Sequence, residues 1–142
     1  MDKNGLSRVL GLDYGERRIG LALSDPLRMI AKPLTVIDRK KSPDHISRIL
    51  EIVYNNNITS IVVGLPLTLK GNYSKQTKIV LAFIDQLKSD LQIPVMVIDE
   101  RLSTVAAKKS LQAQGVKTGF EKGRVDETAA AIFLQEYLDS QS

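Results

Sequence analysis

The sequence predicts a single α/β domain, residues 1–142, in which a mixed five-stranded sheet is flanked by helices. Three strand-like segments come first, within residues 8–38, and a β-α-β pattern with further helices follows them. The length of 142 residues fits one domain, and the chain contains no repeat, low-complexity tract or linker.

The first three segments are predicted to pair antiparallel. Residues 8–13 (RVLGLD) and 19–24 (IGLALS) predict two strands, and the short GERR link between them favours a hairpin. A third strand is predicted over residues 33–38, before the spacing of the apolar residues changes to that of a helix.

The rest of the chain alternates between helix and strand. Ser42 is the predicted N-cap of a helix with Pro43 at its first position, and a run of three Asn residues ends it. Apolar spacing then predicts, in order, a strand at 58–65, a helix at 75–90, a strand at 93–98 and helices at 104–114 and 124–138. Three antiparallel strands followed by a parallel pair is the ribonuclease H-like arrangement.

Composition excludes several kinds of site. The chain has no cysteine, which excludes disulfides and thiolate metal ligands and agrees with a reducing compartment. No apolar run is long enough for a membrane span, and the N-terminal residues lack the apolar core of a signal peptide. We therefore expect a soluble, cytoplasmic protein without a membrane partner.

Two strand ends carry acidic residues. Asp13 lies where an apolar strand meets Tyr14 and can be either a turn-forming Asp or a hard oxygen ligand for Mg²⁺ or Mn²⁺. Asp99 and Glu100 follow another buried strand, and because strand side chains alternate, only one of them is expected to join Asp13. The alternative is a surface ion pair between one of these acids and Arg101.

A third acid, Asp126, lies on the last predicted helix. It shares a face with Ala129, Ala130 and Phe133. An acid on an apolar face costs stability unless it is paired or binds a metal. The alternative is an Asp favoured by the helix dipole in the first turn.

Four segments of the chain together resemble the four sequence blocks of the YqgF/RuvX family. They are LGLDYGERRIGLALSD, IVVGLPLTLKGNYSKQ, VIDERLSTVAAKKSL and GRVDETAAAIFLQEYL, and they cover nearly the whole chain in the expected order. The family comprises Holliday-junction-resolvase-like nucleases with a ribonuclease H-like fold. The resemblance implies that Asp13, Glu100 and Asp126 are the catalytic, metal-binding acids. It also implies a role in maturing the 5′ end of the precursor of 16S ribosomal RNA.

One departure from the wider superfamily concerns the second acid. Many relatives draw it from the fourth strand or from the helix after it, whereas here that strand ends in GLPLT, so Glu100 must serve. If the three acids converge, two Mg²⁺ or Mn²⁺ ions about 3.5–4 Å apart can activate water and stabilise the leaving oxygen. The only histidine, His45, is expected to be structural.

Basic residues in loops and at element ends predict contacts with phosphate groups. The candidate substrate-binding residues are Arg17, Arg18, Lys70, Arg101, Lys122 and Arg124. We expect nucleic acid as the partner, structured RNA first and branched DNA second, and a monomer or weak dimer because no dedicated dimerisation element is recognisable. The alternatives are a resolvase of four-way DNA junctions, a non-catalytic RNA-binding maturation factor and an actin-like nucleotide-binding domain.

Overall fold

A computed structural model of the protein describes residues 7–103 and 122–141, with the side chains of 7–103 and 129–141. The strands in this part of the chain are β1 (Arg8–Tyr14), β2 (Arg18–Ser24), β3 (Ala31–Asp38), β4 (Ile58–Leu65) and β5 (Val95–Asp99). The helices are α1 (His45–Asn55), α2 (Lys75–Asp90), a 3₁₀-helix (Glu100–Leu102) and α3 (Lys122–Ser140).

The five strands form one mixed sheet in the order β3-β2-β1-β4-β5. β1 pairs antiparallel with β2 and β2 with β3, while β1–β4 and β4–β5 are parallel pairs. The predicted arrangement of three antiparallel strands followed by a parallel pair is therefore confirmed. None of the helices described here is long and apolar enough to cross a membrane.

Most element bounds agree with the predicted ones to within two residues, and those of β4 and α2 agree fully. The predicted start of α1 at Ser42 and Pro43 was wrong, because the helix begins at His45 with Asp44 as its N-cap. The carbonyl of Ser42 accepts a hydrogen bond from the His45 backbone N–H at 3.1 Å, which forms a separate turn before the helix. The helix predicted over residues 104–114 lies outside the described residues.

The two faces of the sheet have different cores. On one face, α1 and α2 cover the side chains of Leu10, Leu12, Tyr14, Ile61 and Val63. On the other face, α3 packs Ala130, Leu134 and Leu138 against Val9, Ala22 and Val62. Side chains alternate between the faces along each strand. The odd-numbered residues of β1 therefore point towards α3 and the even-numbered ones towards α1 and α2.

Two glycines let α3 approach the centre of the sheet closely. A methyl group added at Gly11 in β1 would lie 2.9 Å from Cβ of Leu134, and one added at Gly64 in β4 would lie 2.7 Å from Cε2 of Phe133. Both distances are shorter than side-chain contacts allow, so any other residue would push the helix or the ring away. The glycines thus set the distance between α3 and the two central strands.

Polar side chains of α3 fix its position across the sheet. Gln135 accepts a hydrogen bond from the Ala31 N–H at 2.9 Å and donates one to the Met29 carbonyl at 2.9 Å. Glu136 accepts a hydrogen bond at 2.5 Å from the hydroxyl of Ser103, just after the 3₁₀-helix. Both side chains are half-buried, so these polar contacts hold the helix in addition to its apolar face.

The contact between Gly64 and Phe133 leads to a stability prediction. Ala usually strengthens a strand relative to Gly, but Gly64→Ala should lower the free energy of unfolding by about 1–3 kcal/mol because its methyl group meets the Phe133 ring. Urea unfolding measures the change. In a double-mutant cycle, Phe133→Leu should recover part of the loss caused by Gly64→Ala. A stabilised Gly64→Ala variant, or full additivity of the two substitutions, would contradict the contact.

Candidate active site

Asp13 is buried in the middle of the sheet, on the face that α3 covers. It is only 3% exposed. Its neighbour in β2 is Gly20. Its neighbour in β4 is Gly64, because the parallel register pairs the preceding residues, Leu12 and Val63. A carboxylate buried to this extent requires compensating partners or a bound cation. Both strand neighbours of Asp13 are thus glycines, and the Phe133 ring of α3 lies over one of them, Gly64.

Glu100 lies two strands away from Asp13, at the end of β5. It is the first residue of the 3₁₀-helix and is 8% exposed. Ile98, two residues before it, packs against the α3 side of the sheet, and its partner in the register is Gly64. With strands about 4.8 Å apart, the backbones of β1 and β5 are separated by about 10 Å. Two buried carboxyl groups are thus held at the edge of the sheet where β1 and β5 both end.

Asp99 is already engaged by its own neighbour. Its Oδ1 accepts a hydrogen bond from the backbone N–H of Arg101 at 2.9 Å, and Nη2 of Arg101 lies 2.7 Å from its Oδ2. Hydrogen bonds from the Arg101 side chain lower the pKa of Asp99 below its ordinary value, with the Arg101 backbone N–H and charge acting in the same direction. Asp99 therefore caps the 3₁₀-helix and forms the ion pair, while Glu100 is the buried acid.

Asp126 belongs to α3, but its side chain lies outside the described residues. The backbone of α3 runs antiparallel to β1, with Leu134 and the Ala130 carbonyl over Gly11. Asp126 is one helical turn before Ala130. Among the side chains that the structure describes, no group of three or more His, Asp or Glu residues can hold a metal. The convergence of all three acids stays a prediction.

Four of the six predicted phosphate-binding residues follow or begin strands at the same end of the sheet. Arg17 and Arg18 occupy the β1–β2 turn and the start of β2, Lys70 is exposed after β4, and Arg101 follows β5. Arg17 is paired with Asp38 through Nε and Oδ2 at 3.4 Å, with half of its side chain exposed. The side chains of Lys122 and Arg124 lie outside the described residues.

Arg39 holds the end of β1 in place, a role that the sequence did not reveal. Its Nη1 donates hydrogen bonds to the carbonyls of Gly15 at 3.0 Å and Glu16 at 2.9 Å. Its guanidinium carbon lies 4.4 Å from the centre of the Tyr14 ring, a cation–π contact. In the sequence, Arg39 is only the first residue of the basic run RKK after β3. Nothing local in that run indicates a contact with residues more than twenty positions earlier.

Tyr14 and Gln76 complete the support on the other face of β1. The Tyr14 ring stacks on Phe83 at 3.9 Å between centroids, and its hydroxyl lies 3.3 Å from Nε2 of His45. Burial raises the pKa of the Tyr14 phenol, and the Arg39 charge opposes this shift. Gln76 of α2 donates a hydrogen bond to the Tyr14 carbonyl at 3.1 Å. The residue that follows Asp13 is therefore fixed by α1, α2 and the loop after β3.

Comparisons with known proteins agree with this geometry. The model of the RuvX family, described as Holliday junction resolvase, matches residues 7–140. A protein from Roseiflexus sp. (strain RS-1), named "Putative pre-16S rRNA nuclease", is 46% identical over 94% of this chain and 95% of its own length. A protein of the same name from Desulforamulus reducens is 43% identical over 94% of this chain and 97% of its own.

Solved structures share the fold at low sequence identity. RuvC from T. thermophilus, in complex with a Holliday junction substrate, aligns with a TM-score of 0.61 at 18% identity over 95% of each chain. The Holliday junction resolvase of fowlpox virus aligns with a TM-score of 0.55 at 17% identity over 94% of this chain and 99% of its own. At these identities the likeness shows a common ribonuclease H-like fold.

The pairing of Asp99 with Arg101 leads to a prediction on pH dependence. Arg101→Gln removes the side-chain hydrogen bonds and the charge that lower the pKa of Asp99 but keeps the backbone N–H, so that pKa should rise part of the way towards the ordinary value of 3.8. A lowered pKa stabilises the folded protein above the unfolded-state pKa, and this stability is lost as the pH falls below it. The variant should therefore lose less stability on acidification. NMR titration of the side-chain carboxyl carbons measures the pKa.

Arg17→Gln is the control for this titration, because Arg17 pairs with Asp38 instead. It should leave the titration of Asp99 unchanged. An unchanged pKa of Asp99 in Arg101→Gln would show that the ion pair is absent in solution.

Proposed function

The chain belongs to the RuvX family, and we propose that it is a hydrolase that cleaves phosphodiester bonds in structured RNA with divalent metal ions bound by Asp13, Glu100 and Asp126. The observation that carries this proposal is the burial of two carboxyl groups at the same end of the parallel strands, Asp13 in β1 and Glu100 directly after β5. Carboxylate oxygens are the ligands that Mg²⁺ and Mn²⁺ prefer.

Two of the proposed ligands are described, and their chemistry suits a metal site. Asp13 and Glu100 supply the carboxylate oxygens that a hard divalent cation prefers, and both are buried at the same end of the parallel strands. Asp126 is on α3, whose contact with Gly11 and Gly64 fixes its distance from β1. A pair of bound divalent ions supplies an activated water and charge stabilisation for the leaving oxygen. Mg²⁺ or Mn²⁺ is the proposed cofactor.

The contribution of the protein itself is positioning. Arg39 and Gln76 fix the backbone that follows Asp13, and Glu136 binds the hydroxyl of Ser103, three residues after Glu100. Carboxylates held in this way keep their geometry when substrate arrives, which lowers the cost of reaching the transition state. Arg17, Arg18, Lys70 and Arg101, with Lys122 and Arg124 on α3, are proposed to bind the phosphates that flank the cleaved bond.

We propose maturation of the 5′ end of the 16S ribosomal RNA precursor as the main role, carried out in the cytoplasm by a monomer or weak dimer. The proposal is supported by relatives more than 40% identical that are named for this activity. Cutting one strand needs only one active site. Resolution of a four-way DNA junction is the second candidate, and the description of the RuvX family favours it.

Substitution of the acids tests the metal site. Asp13→Asn, Glu100→Gln and Asp126→Asn should each lower the cleavage rate of labelled precursor RNA in Mg²⁺ or Mn²⁺ by about two orders of magnitude or more. Asp99→Asn should retain most of the activity, since Asp99 is paired with Arg101. If the three carboxylates converge, Asp13→Asn without metal should be at least as stable as the wild type, because it removes the repulsion between them.

Equal losses of the cleavage rate in Asp99→Asn and Glu100→Gln would contradict the assignment of Glu100, rather than Asp99, as the metal-binding acid. Full cleavage activity in all three variants at the proposed acids would show that these acids do not bind the catalytic metal. RNA binding by the wild type without cleavage in either metal would favour a non-catalytic maturation factor.

The order of the two substrates is tested by assembly state and product pattern. Symmetric resolution of a junction requires two active sites related by a two-fold axis, hence a stable dimer. We expect sedimentation at micromolar concentration to show mainly monomer, and cleavage of the RNA precursor to be faster than that of a four-way DNA junction. A tight dimer that makes paired symmetric nicks in the junction would reverse the order and favour the resolvase.

A further inference from the structure

The connection between β4 and α2 contains a turn, residues 68–72, that is closed by three hydrogen bonds. The Gly71 N–H donates to the Thr68 carbonyl at 2.8 Å, and the Thr68 N–H donates to the Asn72 carbonyl at 3.0 Å. The Asn72 N–H also donates to the Thr68 hydroxyl at 2.9 Å. Gly71 has a φ of +85°, which favours glycine. The turn is therefore held in one conformation.

Arg101 joins this turn to the candidate active site. Its Nη1 is 3.4 Å from the Leu69 carbonyl oxygen, and a methyl group added at Gly71 would lie 3.1 Å from the same nitrogen. The guanidinium is itself held by Asp99. Since Arg101 directly follows Glu100, the turn lies next to the proposed catalytic acid.

The tip of this turn presents a non-polar side chain to solvent. Leu69 is 94% exposed and Tyr73, directly after the turn, is 59% exposed. Leu102, which follows Arg101, is also exposed. Single exposed apolar residues are ordinary on protein surfaces, but here Leu69 lies in the turn that Arg101 contacts, Tyr73 directly follows that turn, and Leu102 directly follows Arg101. Burying them against a ligand would be favourable, and phosphate groups offer no surface for that.

We infer that Leu69 and Tyr73 contact an unstacked base of the RNA substrate close to the cleaved phosphate, an inference that rests on the proposed function. The flat face of a base offers a non-polar surface against which the two exposed side chains can be buried. Aromatic side chains also bind bases by stacking. Lys70, also exposed and adjacent to Leu69, supplies the charge for the neighbouring backbone phosphate. The turn thus selects RNA in which the base near the cleavage point is unpaired.

Two properties of the site favour a nucleic-acid base over a protein partner on this surface. Exposed lysines lie beside the non-polar side chains at Lys70 and Lys75, so the surface complements a polyanion. The surface also adjoins the proposed catalytic acid through Arg101, where a bound protein would block the substrate.

Binding to RNAs that each lack one base tests the inference. The probes are labelled RNA hairpins with a single-stranded 5′ extension, one intact and others with an abasic nucleotide at successive positions around the cleavage point. All proteins carry Asp13→Asn so that binding is measured without cleavage. The variants are Leu69→Ala and Tyr73→Ala. The matched controls are Leu27→Ala and Tyr54→Ala, which replace residues exposed elsewhere on the surface.

We expect Tyr73→Ala to weaken binding of the intact RNA by about 5- to 100-fold, the range for loss of one base–aromatic stack, and Leu69→Ala to weaken it by about 3- to 10-fold. For one abasic position, both effects should fall below about twofold, because the base that the side chains contact is already missing. The slope of log affinity against log salt should stay unchanged in these variants. Lys70→Ala should instead reduce its magnitude by about 0.7–0.9.

Two results would overturn the inference, and they differ in meaning. If Leu69→Ala and Tyr73→Ala bind every RNA with the affinity of the Leu27→Ala and Tyr54→Ala controls, the two side chains contact no base. The proposed function then stands, whether the two side chains bind a protein or nothing. The same holds if they weaken all abasic RNAs equally. If the protein that carries Asp13→Asn alone binds none of the RNAs, the proposed function fails together with the inference.

Discussion

The close contact of α3 with the centre of the sheet is the constraint on which the site depends. Gly11 and Gly64 leave no room for a side chain between the strands and Leu134 or Phe133. This contact sets the distance from the helix that carries Asp126 to the strand that carries Asp13. The packing density of a protein core makes such a distance hard to change by even one methyl group. Packing would therefore determine the geometry of the proposed metal site as much as the acids themselves.

Local pattern was sufficient to predict the order and type of the described elements, because apolar spacing reports directly on which residues face a core. It failed where a contact joins residues distant in sequence. Nothing in the local pattern of the last helix indicates that Gln135 binds the backbone of Met29 and Ala31. Arg39 looked like part of a basic run, but it holds Gly15 and Glu16.

The candidate site was predictable in part for the same reason. Strand alternation predicted that only one of Asp99 and Glu100 faces Asp13, but spacing alone did not select between them. The structure distinguishes the two, because the hydrogen bonds of Arg101 engage Asp99 while Glu100 is buried. The difference between Asp99 and Glu100 depends on where the Glu100 side chain points. Glu100 lies after the end of β5, where the alternation of strand side chains no longer applies.

The position of Asp13 inside a strand, rather than in a loop, separates reaction chemistry from substrate choice. Its place is fixed by pairing with β2 and β4, whereas Arg17 and Lys70 lie in connections that can change length without disturbing the sheet. A change of length in these connections therefore leaves the strand that carries Asp13 in place. A family built on this sheet can diversify through its loops, while pairing within the sheet keeps the central carboxylate where it is.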